Sequence, residues 1–186
     1  MGDEKPVETA RDERFVRRLA QAHRSRAETL NAARRWQPGV VDHRVVALTC
    51  LDTEPASASE YPCWAQTAKL FAIWHGGRTD PQYGYAGNGI GRWAHQLGVG
   101  DPSAERLIDR ITAAATPLTL DAALTALARR RTPRPPHWAT VLAELADWSD
   151  PARQDQVRFA WARDFYSFPR STKAVADADV PAAPPA

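Results

Sequence analysis

Cysteine is scarce in this 186-residue chain: Cys50 and Cys63 are the only two. Two isolated cysteines build neither a zinc site nor a disulfide framework, so both are read as small buried apolar residues in a reducing cytosol. No run approaches the ~18 apolar residues that span a bilayer, and no apolar segment follows Met1. The chain is therefore expected to be cytoplasmic, with no membrane partner. Strand candidates are also missing. Val40–Leu51 is the one β-branched run, and nothing pairs with it, so a short buried helix is expected there. The expected fold class is all-α, with about eight or nine helices in two packed helical-bundle lobes.

The residues of catalysis are equally sparse. His23, His43, His75, His95 and His137 stand alone. None sits in an HExxH pattern or has a second ligand at helical spacing, so no metal site is expected. There is no phosphate loop and no dinucleotide fingerprint. Gly87-Asn88-Gly89-Ile90-Gly91 precedes a helix, where an anion can bind. It lacks a preceding strand and a lysine, and reads as a plain loop. Asp164 has no partner acid and is expected to form an ion pair. The expectation is a protein that is not an enzyme and needs no cofactor.

What the chain does hold is helical periodicity and arginine. The stretch His137–Tyr166 carries the strongest pattern. Trp138, Val141, Leu142, Leu145 and Trp148 share one face, and Val157, Trp161, Phe165 and Phe168 share another after a Ser-Asp-Pro corner. Asp150 is expected to cap the second helix, with Pro151 in its first position. Such wide apolar faces must be buried against other helices, and the hairpin is taken as the element around which the chain is organised.

Upstream, the spacing predicts a helix from Thr9, with Thr9 and Asp12 as its capping box, and a second over about 26–36. Two more follow, over Pro62–His75 and Ile90–Leu97. Asp101-Pro102 opens another, and Thr119 is expected to cap the leucine helix that ends at Arg129-Arg130-Arg131. The division expected is an N-terminal helical lobe (1–98, with 1–8 frayed), a C-terminal lobe (99–168) and a disordered Pro/Ala-rich tail (169–186).

Of 24 basic residues, only Lys5, Lys69 and Lys173 are lysine. Arginine offers a planar fork that suits phosphate and stacks on bases. A GC-rich genome is the plainer source of the excess. Between Arg14 and Arg44 only Glu28 and Asp42 oppose eight arginines. Arg24, Arg26, Arg34, Arg35, Arg92, Arg129, Arg130, Arg131 and Arg158 are the candidate nucleic-acid-binding residues, a surface that would neutralise phosphates without reading sequence. The plainer alternatives are solvated faces and, for Arg34 and Arg35, complements to a helix C-terminus. A free-standing helical DNA- or RNA-binding regulator is the second reading, although Ile90–Leu97 is too short and apolar for a recognition helix.

The order of segments resembles the CasB family, the small subunit of the type I-E CRISPR surveillance complex, Cascade. The resemblance is carried by YPCWAQTAKLFAIWHGG (Tyr61–Gly77), GIGRWAHQLG (Gly89–Gly98), SAERLIDRITAA (Ser103–Ala114), ALARRR (Ala126–Arg131) and WATVLAELADW…VRFAWARDFY (Trp138–Tyr166), about two-thirds of the chain. Near the N-terminus, Ala32-Ala33-Arg34-Arg35 stands where members have Leu-Arg-Arg, so a leucine is replaced. The resemblance implies an all-α protein of two lobes with no enzymatic activity. Its implied partners are the CRISPR guide RNA, the target DNA, the other Cascade subunits and a second copy of itself. Its implied role is to steady the displaced strand of the R-loop in antiviral defence. The hairpin would then keep Arg129–Arg131, Arg153, Arg158 and Arg163 at fixed spacing.

Overall fold

The helix at 61–74 is buried on nearly every side, and five other helices pack against it. The computed structural model describes residues 5–25, 27–50, 54–130 and 132–167; Arg26, Arg131, Phe168 and the tail from 169 lie outside these. Among the described residues there are nine α-helices and no strand. They are α1 (Lys5–Ser25), α2 (Ala27–Arg35), α3 (His43–Thr49), α4 (Tyr61–Trp74), α5 (Ile90–His95), α6 (Pro102–Thr112), α7 (Pro117–Arg129), α8 (Trp138–Ser149) and α9 (Gln154–Tyr166).

Local chemistry sets most of these boundaries. Asp101 accepts from the backbone N–H of Ser103 at 2.6 Å and Ala104 at 3.3 Å, and Pro102 follows with no N–H to orphan. Asp42 does the same for α3 through Arg44 and Val45. The leucine helix starts earlier than the sequence suggested. Thr116, not Thr119, is its N-cap, because Thr116 is extended and is followed by Pro117. Thr119 completes the capping box by accepting from the Thr116 N–H at 3.1 Å. The first helix begins at Lys5 and runs through Thr9.

Asp150 does not cap α9. Its carboxylate accepts from Ala152 N–H at 2.9 Å and its carbonyl from Arg153 and Gln154, closing a turn over 151–153. That turn delays the helix to Gln154, with Arg153 at the cap. Cys50 is exposed at the end of α3, while Cys63 is buried, which corrects the expectation that both are interior.

Twelve of the fourteen residues of α4 are buried, as befits a helix with apolar residues on nearly every side. It packs on α1, α2, α3, α7 and α8, whereas α9 packs on α5, α6 and α8. The central element is therefore α4 rather than the α8–α9 hairpin. Trp138 of that hairpin is its main contribution to the centre. Its ring lies 5.4 Å from Phe71 and 5.7 Å from Trp93. Buried apolar residues from Phe15 to Phe165 form one cluster that includes helices on both sides of the Gly98–Asp101 turn.

Two polar devices lie inside this cluster. Lys69 of α4 and Asp121 of α7, both buried, meet at 2.7 and 2.8 Å. Thr132 accepts from the indole N–H groups of Trp74 at 3.1 Å and Trp93 at 3.0 Å, and donates to the Arg134 carbonyl. One hydroxyl thus satisfies two buried donors from different helices.

Candidate nucleic-acid interface

The arginines divide into those that hold the fold and those that face solvent. The density of positive charge near the N-terminus is partly cancelled on folding. Arg11 pairs with Glu60 and Arg14 with Glu54, both from the segment before α4. The Arg11 hydrogen bond, helped by the Ser57 N–H and hydroxyl, pulls the Glu60 carboxyl down to about 2. Arg18 donates to the Ala47 carbonyl at 3.0 Å.

Three candidates are held by structural partners away from α4. Arg92 lies 3.9 Å from Asp164 and ties α5 to α9. Arg130 donates to the Ser103 hydroxyl at the start of α6. Arg158 donates to the Ala114 carbonyl just past α6 and to Asp155. Asp164 also pairs with Arg163 at 2.9 Å, so it forms the ion pairs expected of it.

Arg34 and Arg129, joined by Arg78, gather at the C-terminal end of α4. Arg34 donates from Nη2 to the Ala72 carbonyl at 3.0 Å. Arg78 donates from Nε to the Trp74 carbonyl at 3.3 Å, and its guanidinium lies 3.7 Å from the centre of the Trp74 ring. Gly77, at φ 80°, turns the chain between them in the left-handed region that suits glycine. A groove of about 330 Å³ runs between this turn and the end of α7, lined by Ile73, Trp74, Gly76, Gly77, Arg78, Ala128 and Arg129. No acidic side chain is in that lining.

Arg24 and Arg35 are each next in sequence to a residue that bonds near this end. Arg24 follows His23, whose Nε2 donates to the Arg78 carbonyl at 3.0 Å. Arg35 follows Arg34. Arg24, Arg35 and Arg129 are exposed and make no ion pair among the described residues. The C-termini of α4 and α7 carry about −0.5 charge each, well short of the three guanidinium charges of Arg34, Arg78 and Arg129. A net positive groove results, built from residues far apart in sequence.

Arg78 did not stand out in the sequence. Its signals are modest: it lies four residues after Trp74, on the same side of a helix end, and directly after a Gly-Gly stop.

His75 fixes the loop beyond the groove. It is fully buried, and burial lowers its pKa to about 4, so it is neutral. In that form Nδ1–H donates to the Phe71 carbonyl at 2.9 Å and Nε2 accepts from the Gln82 N–H at 2.9 Å. The glycine run at 87–91 is equally structural. Glu144 of α8 places its carboxylate at the N-terminus of α5 and accepts from Ile90 N–H at 2.8 Å and Trp161 Nε1 at 3.0 Å. A Cβ at Gly89 would come within 1.8 Å of that carboxylate. The acceptor at this helix end is the chain's own carboxyl group. Burial raises the Glu144 carboxyl to about 7. Among the described residues no His, Cys, Asp and Glu cluster forms a metal site, and no helix is long and apolar enough to cross a membrane.

A family model for the CRISPR-associated protein Cse2 matches residues 18–166. Among curated proteins, none matches the sequence. Two solved structures share the fold. CasB from Thermobifida fusca is 23% identical, with a TM-score of 0.64 over 87% of this chain and 98% of that one. A CRISPR-associated protein of the Cse2 family from Thermus thermophilus is 19% identical, with a TM-score of 0.65 over 83% and 97%.

Proposed function

This chain belongs to the CRISPR-associated Cse2 family, and from that premise we propose that it is the non-catalytic small subunit of a type I-E Cascade complex. In this role it contacts guide RNA and target DNA beside the other subunits and a second copy of itself, and it steadies the displaced strand. One observation carries the assignment of the surface: Arg34, Arg78 and Arg129 converge at the α4 end, with no acid in the groove.

Exchange of a DNA duplex for a guide–target duplex is nearly balanced in free energy, so modest backbone contacts decide it. Guanidinium groups on a rigid helix end supply such contacts without base readout. The other candidates serve the same role indirectly: Arg92, Arg130 and Arg158 brace the helices that hold Arg129 in place.

Co-expression of the tagged chain with the genes of its operon tests the assignment. Recovery of guide RNA with the tagged chain, lost when Arg24, Arg35 and Arg129 are changed together to glutamate, is the expected result. Recovery of the chain alone, free of RNA and other subunits, would argue for a free-standing protein.

A further inference from the structure

The loop that leaves the basic groove at Arg78 carries two exposed tyrosines on a fixed backbone. Tyr83 is 51% and Tyr85 71% exposed, which is unusual for large aromatic side chains held in a well-anchored segment. The anchors are specific. His75 holds Gln82 at one end. At the other end Asn88 N–H donates to the Tyr85 carbonyl at 3.0 Å, and His137 N–H to the Asn88 carbonyl at 2.8 Å.

Between the two tyrosines, Gly84 lies flat on the Pro136–His137 backbone, where a Cβ would come within 2.4 Å of the Pro136 carbonyl carbon. The glycine faces inward while its two neighbours face water. Arg134, also exposed, sets its guanidinium 5.5 Å from the centre of the Tyr85 ring.

We infer that Tyr83 and Tyr85, with Arg134, form a stacking platform for the bases of an unpaired nucleic-acid strand. The inference rests on the proposed function and specifies which kind of strand the basic surface takes. Aromatic faces stack on any base, so such a platform is tolerant of sequence, and a neighbouring guanidinium tracks the phosphates. A duplex hides its base faces in the stack. Bases can therefore lie on Tyr83 and Tyr85 only in an unpaired, unstacked strand.

The test uses the full chain and three fluorescent probes: a 12-nucleotide thymidine strand, the same strand made abasic at its central positions, and a 12-base-pair duplex. The variant is Tyr83→Ala with Tyr85→Ala, its folding checked by thermal unfolding, and Tyr83→Phe with Tyr85→Phe is the conservative control. The alanine variant should bind the thymidine strand about tenfold or more weaker, in line with the loss of base–aromatic stacking. It should bind the abasic strand and the duplex as the parent does, and the phenylalanine variant should match the parent on all three. An unchanged affinity for the thymidine strand, or an equal loss on all three probes, would overturn the platform while leaving the basic surface standing. Failure of the parent chain to bind any probe would overturn both.

Discussion

Arg34 donates from Nη2 to the Ala72 carbonyl across 3.0 Å, tying the end of α2 to the last turn of α4. The same guanidinium is thus both a helix cap and part of the basic groove, while Arg129 on the opposite side has no such bond among the described residues. Arg34→Ala should lower stability by about 1.5 kcal/mol, the low end for a hydrogen bond from a charged group because this side chain is exposed, and also weaken oligonucleotide binding. Arg129→Ala should weaken binding and leave the melting temperature unchanged. Thermal unfolding beside a binding titration separates the two roles.

The Lys69–Asp121 pair joins α4 to α7 and so fixes the position of Arg129 across the groove. Removing one partner strands a buried charge. Asp121→Asn or Lys69→Met should each destabilise by about 3–5 kcal/mol. Changing both to apolar residues of similar size should recover most of that loss. Urea unfolding of the two single variants and the double variant reads the difference.

Thr132→Val keeps the shape of the residue and removes its hydroxyl. The Trp74 and Trp93 indole N–H groups then lose their acceptor in the core. Each unsatisfied buried donor costs about 1–3 kcal/mol, so a loss of about 2–6 kcal/mol is expected for the two, seen as a lower unfolding midpoint in urea.

Two buried groups oppose each other in the pH dependence. Glu144 titrates at about 7 when folded, against 4.5 free. Its contribution is full below 4.5 and is lost as pH rises through 7. His75 titrates at about 4 when folded, against 6.5 free. Its contribution is present above 6.5 and is lost as pH falls through 4. Between pH 7 and 5 the two slopes offset. Glu144→Gln should therefore melt lower at pH 5 than at pH 7, and His75→Asn higher at pH 5 than at pH 7. Melting curves at the two pH values check the signs.

The helical class, the order of helices and the Asp101 start were legible because caps and periodicity are local. Asp150 misled because the same Asp-Pro pair can close a turn before a helix as readily as cap one. Pairings across long sequence gaps were not legible. Lys69 and Asp121 are 52 residues apart, and Glu54 and Glu60 reach back to α1 from outside the arginine-rich stretch. Of the nine candidate arginines, the sequence could not separate Arg34 and Arg129 at the groove from Arg92, Arg130 and Arg158, whose bonds are to other helices. That distinction depends on how α2, α4 and α7 pack.

The most direct test of the basic surface is the salt dependence of single-strand binding by the parent chain and by the triple variant Arg24→Ala, Arg35→Ala, Arg129→Ala. None of these side chains makes an ion pair among the described residues, so the fold should be unaffected. Each phosphate contact contributes about 0.7 to the slope of log K against log salt concentration on a single strand. The slope is expected to fall by about two in the triple variant, with little difference among unrelated sequences. A slope and affinity equal to the parent's, or strong preference for one sequence, would contradict this.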